Sequence, residues 1–300
     1  MSQGITPDPK RNIIALIFIS TDEPRLRAGW RLLIQMFLYF ALSIVFFIIA
    51  ISLGLGGTTT SILDQILNLA AITGSVYIAR RWLDKKSFES LGLKLNRQAL
   101  VDILTGIGIP FVQMGLIYLT MLGLGWLVFS GFAWEFDPLT TVISSVLTLF
   151  VVFMFVGWNE EVLSRGYHLQ TIASGTNLLW GVIISSILFG LLHFGNPGAN
   201  WISTIGIFFA GVYLAYGYVR TKQLWLSIGL HIGWNFFEGV VFGFPVSGLD
   251  IYALLRIKVT GPVLWTGGVF GPEAGLIVLP ALMVGMLLIY LYTKNRDANI

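Results

Sequence analysis

Apolar positions in this chain gather into long runs divided by short polar segments. A helix that crosses a bilayer needs about 20 mostly apolar residues. That ruler picks out eight stretches, at residues 29–53, 61–78, 99–129, 138–158, 178–194, 202–219, 225–242 and 273–293. The third is over-long, and Pro110 together with the Gly-rich stretch 121–126 allows it to bend. Residues 13–19 are apolar but short. Thr21-Asp22-Glu23-Pro24 follows them instead of a small-residue cleavage site, so they read as an interfacial helix and not as a signal peptide. Residues 87–93 pattern as a short amphipathic element lying on the membrane surface. The expected fold is all-α, a polytopic membrane helical bundle of about eight transmembrane helices. Residues 1–28 form a cytoplasmic or interfacial N-terminal segment, 29–293 the bundle and 294–300 a cytoplasmic tail.

Composition makes lipid the solvent. Hydrophobic residues are 56% of the 300, charged residues 11%, and mean hydropathy is +0.81. An ordinary globular domain has roughly 45–50% apolar and about 25% charged residues, so a soluble domain of this size is excluded. With no cysteine, a disulfide framework, a thiolate zinc site and a cysteine nucleophile are excluded together. The net charge of +3 is too small to indicate a nucleic-acid partner. The location of the charges says more. With the N-terminus inside, 16 of the 18 Lys and Arg residues fall on the cytoplasmic side and only Arg256 and Lys258 lie outside, in the connection 243–272. Such an asymmetry orients a polytopic chain. Both termini are therefore expected in the cytoplasm, in an integral protein of the cell membrane.

Ionisable residues inside spans are costly and point to function by default. Asp64 and Asp102 lie close enough to span ends to reach water, Glu135 and Asp137 sit in an outer loop, and His168 reads as an interface histidine. Glu160 and Glu161 differ, because they directly follow about twenty residues without a charge. Their plain structural reading is a solvated helix end, with Arg165 four residues after Glu161 in an ion pair worth about 0.2–0.5 kcal/mol. Two further spans each carry a histidine: His193 late in the fifth, and His231 in the seventh with Asn235 one turn later on the same face. Glu160 and His193 are equidistant from the turn residues Thr176 and Asn177, so an antiparallel hairpin sets them level. His231 lies about 13 Å beyond the turn near Lys222 at 1.5 Å per residue, which allows a shared site below the cytoplasmic surface.

A carboxylate and an imidazole facing a sequestered water can deprotonate it, and apolar surroundings beside a like charge make such a carboxylate a better base. Imidazole and carboxamide donors stabilise a developing oxyanion best where water is scarce. Together these parts describe amide hydrolysis. The alternative use of Glu160, His193 and His231 is to hold Zn²⁺ with one open position, although the His-Glu-x-x-His spacing of common zinc peptidases is missing.

The three motifs, Glu160-Glu161 with Arg165, Phe189 with His193, and His231 with Asn235, resemble in order and separation those of the CPBP family. That family comprises CAAX-type prenyl endopeptidases and bacterial bacteriocin-processing or self-immunity relatives, and its core would cover residues 138–242. Ser164 departs from the pattern, standing where an aromatic residue is common, which bears on pocket shape and not on chemistry. The resemblance implies that Glu160 activates water with help from His193, that His231 and Asn235 stabilise the oxyanion, and that Glu161 supports the site. Arg165 would hold the helix end or meet a substrate carboxylate. It further implies an intramembrane endopeptidase acting on a membrane-associated peptide or protein, of the prenylated CAAX type or otherwise, without a required cofactor. A transporter, or a non-catalytic scaffold or immunity protein using the same buried polar cluster, is the competing reading.

Overall fold

The computed structural model describes residues 17–20, 25–53 and 61–296. Residues 13–16 of the expected interfacial helix and 297–300 of the tail lie outside the described residues. The chain folds as a helical membrane bundle. Each of the eight apolar stretches carries a helix: α1 (Ala28–Ser52), α2 (Ser61–Ile78), α3 (Arg97–Gly123), α4 (Leu139–Glu161), α5 (Leu178–Leu192), α6 (Trp201–Thr221), α7 (Trp225–Asn235) and α8 (Val278–Thr293). Counting their π and 3₁₀ extensions, α1 to α6 are long and apolar enough to cross a membrane, whereas α8 is a shorter apolar helix. The α-helical part of α7 is only 11 residues, prolonged by a π-helical stretch to Val241.

Two boundaries differ from the hydropathy reading. The third stretch is helical to Gly123 and not to residue 129, because Gly125 turns the chain at φ +69° and Leu127–Phe132 then forms strand β1. The eighth begins at Val278, after a 3₁₀ turn at Pro272–Ala274. β1 pairs antiparallel with β2 (Leu255–Val259), with a bulge between Phe129 and Gly131. The bundle thus carries a two-stranded ribbon at the end where α3 stops and α4 starts. In β2, Leu255, Ile257 and Val259 pack on the core while Arg256 and Lys258 alternate with them, the period of two that a strand requires. Arg256 Nη2 lies 2.7 Å from Asp137 Oδ2, which also accepts from the Tyr252 hydroxyl at 3.0 Å.

The centre of the bundle is the contact of α3 with α7, and glycines make it close. A Cβ on Gly229 would stand 2.4 Å from the Ile103 carbonyl oxygen, one on Gly233 2.4 Å from that of Ile107, and one on Gly106 2.6 Å from that of Leu226. Between helices in lipid, where no hydrophobic force favours association, such small-residue contacts supply the packing. His231 lies between the two α7 glycines, so this seam fixes its depth and azimuth. Gly233→Val is expected to lower the melting temperature in detergent, at a cost of about 1–3 kcal/mol, the usual range for overpacking. Gly108→Ala in α3, where an added Cβ meets nothing within 4 Å, should leave it unchanged.

Polar side chains tie the outer helices to this centre. Gln113 donates to the Ala281 carbonyl at 2.8 Å and accepts from the Tyr213 hydroxyl at 2.7 Å, joining α3, α6 and α8. Asp102, expected at the water interface, is instead buried. It accepts from the Tyr292 hydroxyl and from Arg296 Nη2, both at 2.7 Å, because the end of α8 packs beside the start of α3. That contact sets the end of α8 on the same face as the connection 84–96. His168, expected at the interface, is also buried, with Nε2 3.1 Å from Gln35 Oε1, because α1 packs over the continuation of α4. Asp64 is exposed, as its position near a span end suggests.

Candidate active site

Glu160 and Glu161 close the α-helical part of α4, and the chain continues without a break as a π-helical stretch, Val162–Leu169, before returning to α-helix at Gln170–Gly175. The same change follows Asn235, where α7 passes into the π stretch Phe236–Val241, and α5 tightens into a 3₁₀ turn at His193–Gly195. Each helix that carries a motif therefore leaves α geometry next to its polar residues, and π turns of this kind are frequent at functional sites. Small residues again permit the approach. A Cβ on Gly157 would meet Ile232 Cγ1 at 2.7 Å, which brings α4 against α7. One on Gly181 would meet the Leu169 carbonyl at 2.8 Å, which seats α5 on the far end of the α4 rod. Asn177 caps α5 by accepting from the Trp180 N–H at 3.1 Å.

Glu160, Glu161, Arg165, Phe189, His193 and His231 thus come together from three helices. Glu161 is fully buried, and its Oε1 accepts from Arg165 Nη1 at 2.7 Å and His231 Nδ1 at 2.8 Å. The plain reading of this pair as a solvated helix end is overturned: Arg165 is 1% exposed, donates its Nη2 to the Gly211 carbonyl at 2.9 Å, and stacks over the Phe189 ring at 4.3 Å. Arg165 therefore ties Glu161, α6 and Phe189 together and is not among the residues that line the cavity beside Glu160. Phe189 in turn packs against both imidazoles, with ring centroids 4.7 Å from His193 and 6.0 Å from His231.

The hydrogen bonds fix which edge of each imidazole faces inward. His193 donates Nδ1–H to the Phe189 carbonyl at 2.8 Å, and His231 donates Nδ1–H to Glu161. Both Nε2 atoms are left pointing at Glu160 Oε2, at 3.6 Å from His193 and 3.7 Å from His231. That oxygen is shielded and has no hydrogen-bond partner, while the Glu160 side chain as a whole is 31% exposed. Its exposure is to a cavity of about 450 Å³, walled on one side by Glu160, His193, His231 and Asn235 and on the other by residues of α1 and α2 such as Met36, Phe40 and Gln65. Asn235 stands one turn beyond His231 on this wall, and the small Ser164 contributes where a larger residue would narrow it. Among the described residues, no three His, Asp or Glu side chains form a group able to hold a metal ion.

Three neighbours of the site escaped the sequence reading. Asn159 lies on the cavity wall with both amide atoms buried and unpartnered. Glu273, also on the wall, accepts from Trp234 Nε1 at 3.0 Å and from the Ser247 N–H and hydroxyl at 2.8 and 2.6 Å. Glu238 is fully buried one turn after Trp234. The signal for the two acids was present, since each falls within a predicted span and an ionisable residue there demands an account.

Comparison with known proteins agrees with the motif reading. Residues 142–237 match the family model described as Type II CAAX prenyl endopeptidase Rce1-like, a stretch inside the expected core and containing all three motifs. The chain is 37% identical over 86 residues to "Uncharacterized protein YyaK" of Bacillus subtilis, covering 26% of this chain and 27% of that protein. It is 30% identical over 130 residues to "Putative membrane peptidase YdiL" of the same organism, covering 43% of this chain and 49% of that one. The matches therefore span at most about half the length of these relatives.

Proposed function

We propose that this chain is an intramembrane endopeptidase that hydrolyses a peptide bond of a membrane-associated substrate, with Glu160 as the base that activates water. The observation that carries this reading is the convergence of two imidazole Nε2 atoms on one Glu160 oxygen beside an open cavity. The match to an Rce1-like endopeptidase family and to a relative named as a membrane peptidase supports it.

Water held by Glu160 and His193 attacks the carbonyl carbon, giving its proton to Glu160 as the C–O bond forms. The carbonyl oxygen becomes an oxyanion, which accepts hydrogen bonds from His231 Nε2 and the Asn235 carboxamide. His231 can offer a proton at Nε2 while keeping Nδ1–H on Glu161 only as imidazolium, and the Glu161 carboxylate pairs with that cation. The tetrahedral intermediate collapses with cleavage of the C–N bond. The proton on Glu160 passes to the leaving nitrogen, and the products are a carboxylic acid and an amine. No step calls on a metal, and we propose none.

The test is purified protein in detergent on fluorogenic prenylated and unprenylated peptides, with and without a chelator. Cleavage that the chelator leaves unchanged is expected. Loss of activity restored by added zinc would replace the water-activating carboxylate with a metal centre. Failure to cut any peptide, with proton-coupled solute uptake in proteoliposomes, would favour the transporter reading instead. The ratio of the two peptide classes decides whether the substrate is prenylated.

A further inference from the structure

Asn159 stands directly before Glu160 on the cavity wall and has no role in the steps above. The residue is 2% exposed, and its Nδ2 and Oδ1 are both shielded and without a hydrogen-bond partner. Folded chains pair nearly all such groups, and each one left unpaired costs about 1–3 kcal/mol. Two other carboxamides on the same wall are tied. Asn68 Oδ1 accepts from the Tyr39 hydroxyl at 3.1 Å, and Asn196 Nδ2 donates to the Ser247 carbonyl at 3.0 Å. Glu160 Oε2, one residue on, is shielded and unpartnered in the same way as Asn159. These two adjacent side chains thus share a cost that the fold itself does not repay, at the place where the scissile bond lies if Glu160 is the base.

A carboxamide with both ends free presents a donor and an acceptor side by side. An alkyl chain satisfies neither, and a carboxylate accepts from Nδ2 while repelling Oδ1. One residue of an extended peptide satisfies both, because its N–H and C=O point to the same side, as in the hydrogen-bonded pairs of an antiparallel sheet. Resting on the endopeptidase reading, we infer that Asn159 is a substrate-binding residue. Its Nδ2 donates to the carbonyl, and its Oδ1 accepts from the N–H, of a single substrate residue held extended beside the scissile bond. The group it recognises is therefore main chain, whatever side chain that substrate residue carries.

Asn159→Leu keeps the approximate size of the side chain and removes both polar atoms. In purified protein in detergent, on a peptide that the parent cleaves, it should lower kcat/KM about tenfold or more. The loss should fall chiefly on KM, since the pairing forms in the bound ground state and persists in the transition state. The melting temperature should equal or exceed the parent's, because the substitution breaks no side-chain bond within the fold and removes two unpaired buried atoms. Asn159→Ala, which cannot crowd the cavity, should show the same kinetic loss. The substrate is then N-methylated at one residue at a time around the cut. One position should cost the parent severalfold in kcat/KM and cost Asn159→Leu little, since that N–H no longer has its acceptor. Parental kcat/KM in both variants would overturn the inference. So would activity lost together with a large fall in the melting temperature of Asn159→Leu, or N-methyl penalties equal in parent and variant at every position. Each of these results leaves cleavage by the parent, and with it the peptidase assignment, standing. A parent that cuts no peptide removes the endopeptidase reading on which the inference rests.

Discussion

Glu160→Gln abolishes cleavage, with a loss of about 10²–10⁴-fold in kcat expected for a general base, and leaves the melting temperature of the protein within a degree or so of the parent. The two halves of this expectation have different grounds. The carboxamide keeps the size of the side chain but has no basicity, so the water loses its proton acceptor while the cavity keeps its shape. Stability is spared because Glu160 holds nothing up. Its Oε2 has no hydrogen-bond partner, and the side chain is nearly one-third exposed on the cavity wall. Turnover by the purified variant, measured beside its thermal unfolding in the same detergent, checks both. Cleavage at the parental rate would remove Glu160 from the chemistry. Loss of activity with a large fall in melting temperature would make it a structural residue.

Arg165→Met is expected to cost stability as well as activity, because the adjacent carboxylate is buried. Glu161 is fully enclosed and takes one of its two charge-assisted hydrogen bonds from Arg165. Removing one partner of a buried ion pair strands the other and typically costs about 3–5 kcal/mol. The loss extends to the hydrogen bond with the Gly211 carbonyl and the stacking on Phe189, which steadies both imidazoles. A large drop in melting temperature is expected, with cleavage lost alongside. The double variant Glu161→Gln with Arg165→Met removes the stranded charge, and exchanging a buried pair for neutral groups is often close to neutral. It should recover most of the stability but little of the activity, since His231 no longer faces a carboxylate at Nδ1. A single variant as stable as the parent would show that Glu161 and Arg165 are not coupled.

Much of the architecture was readable before any coordinates. Eight apolar runs became eight helices because helix length in a bilayer is set by hydrocarbon thickness, which a one-dimensional count measures directly. The levelling of Glu160 with His193 followed from counting outward from the turn at residues 176–177, and the two side chains lie 3.6 Å apart. The ribbon was missed although Leu255-Arg256-Ile257-Lys258-Val259 alternates cleanly, because its charges were read as loop charges and its partner strand as the end of a helix. The seam between α3 and α7 was missed although Gly229 and Gly233 stand four apart, a spacing that lets helices in lipid approach closely. Asp102 and His168 were assigned to the interface because distance from a span end says nothing of what packs there, and the ends of α8 and α1 cover them.

The amino-acid sequence determined that this is a multi-pass membrane protein, where its helices run, and which polar side chains lie in apolar surroundings on separate helices. Those properties are local, set by the transfer of each residue between water and lipid. Tertiary structure alone decided that Glu161 and Arg165 are sealed inside, that Glu160 faces a cavity, and that two imidazoles aim the same edge at it. These outcomes depend on which backbones can approach within a glycine's width of each other, a relation between segments more than a hundred residues apart in the chain.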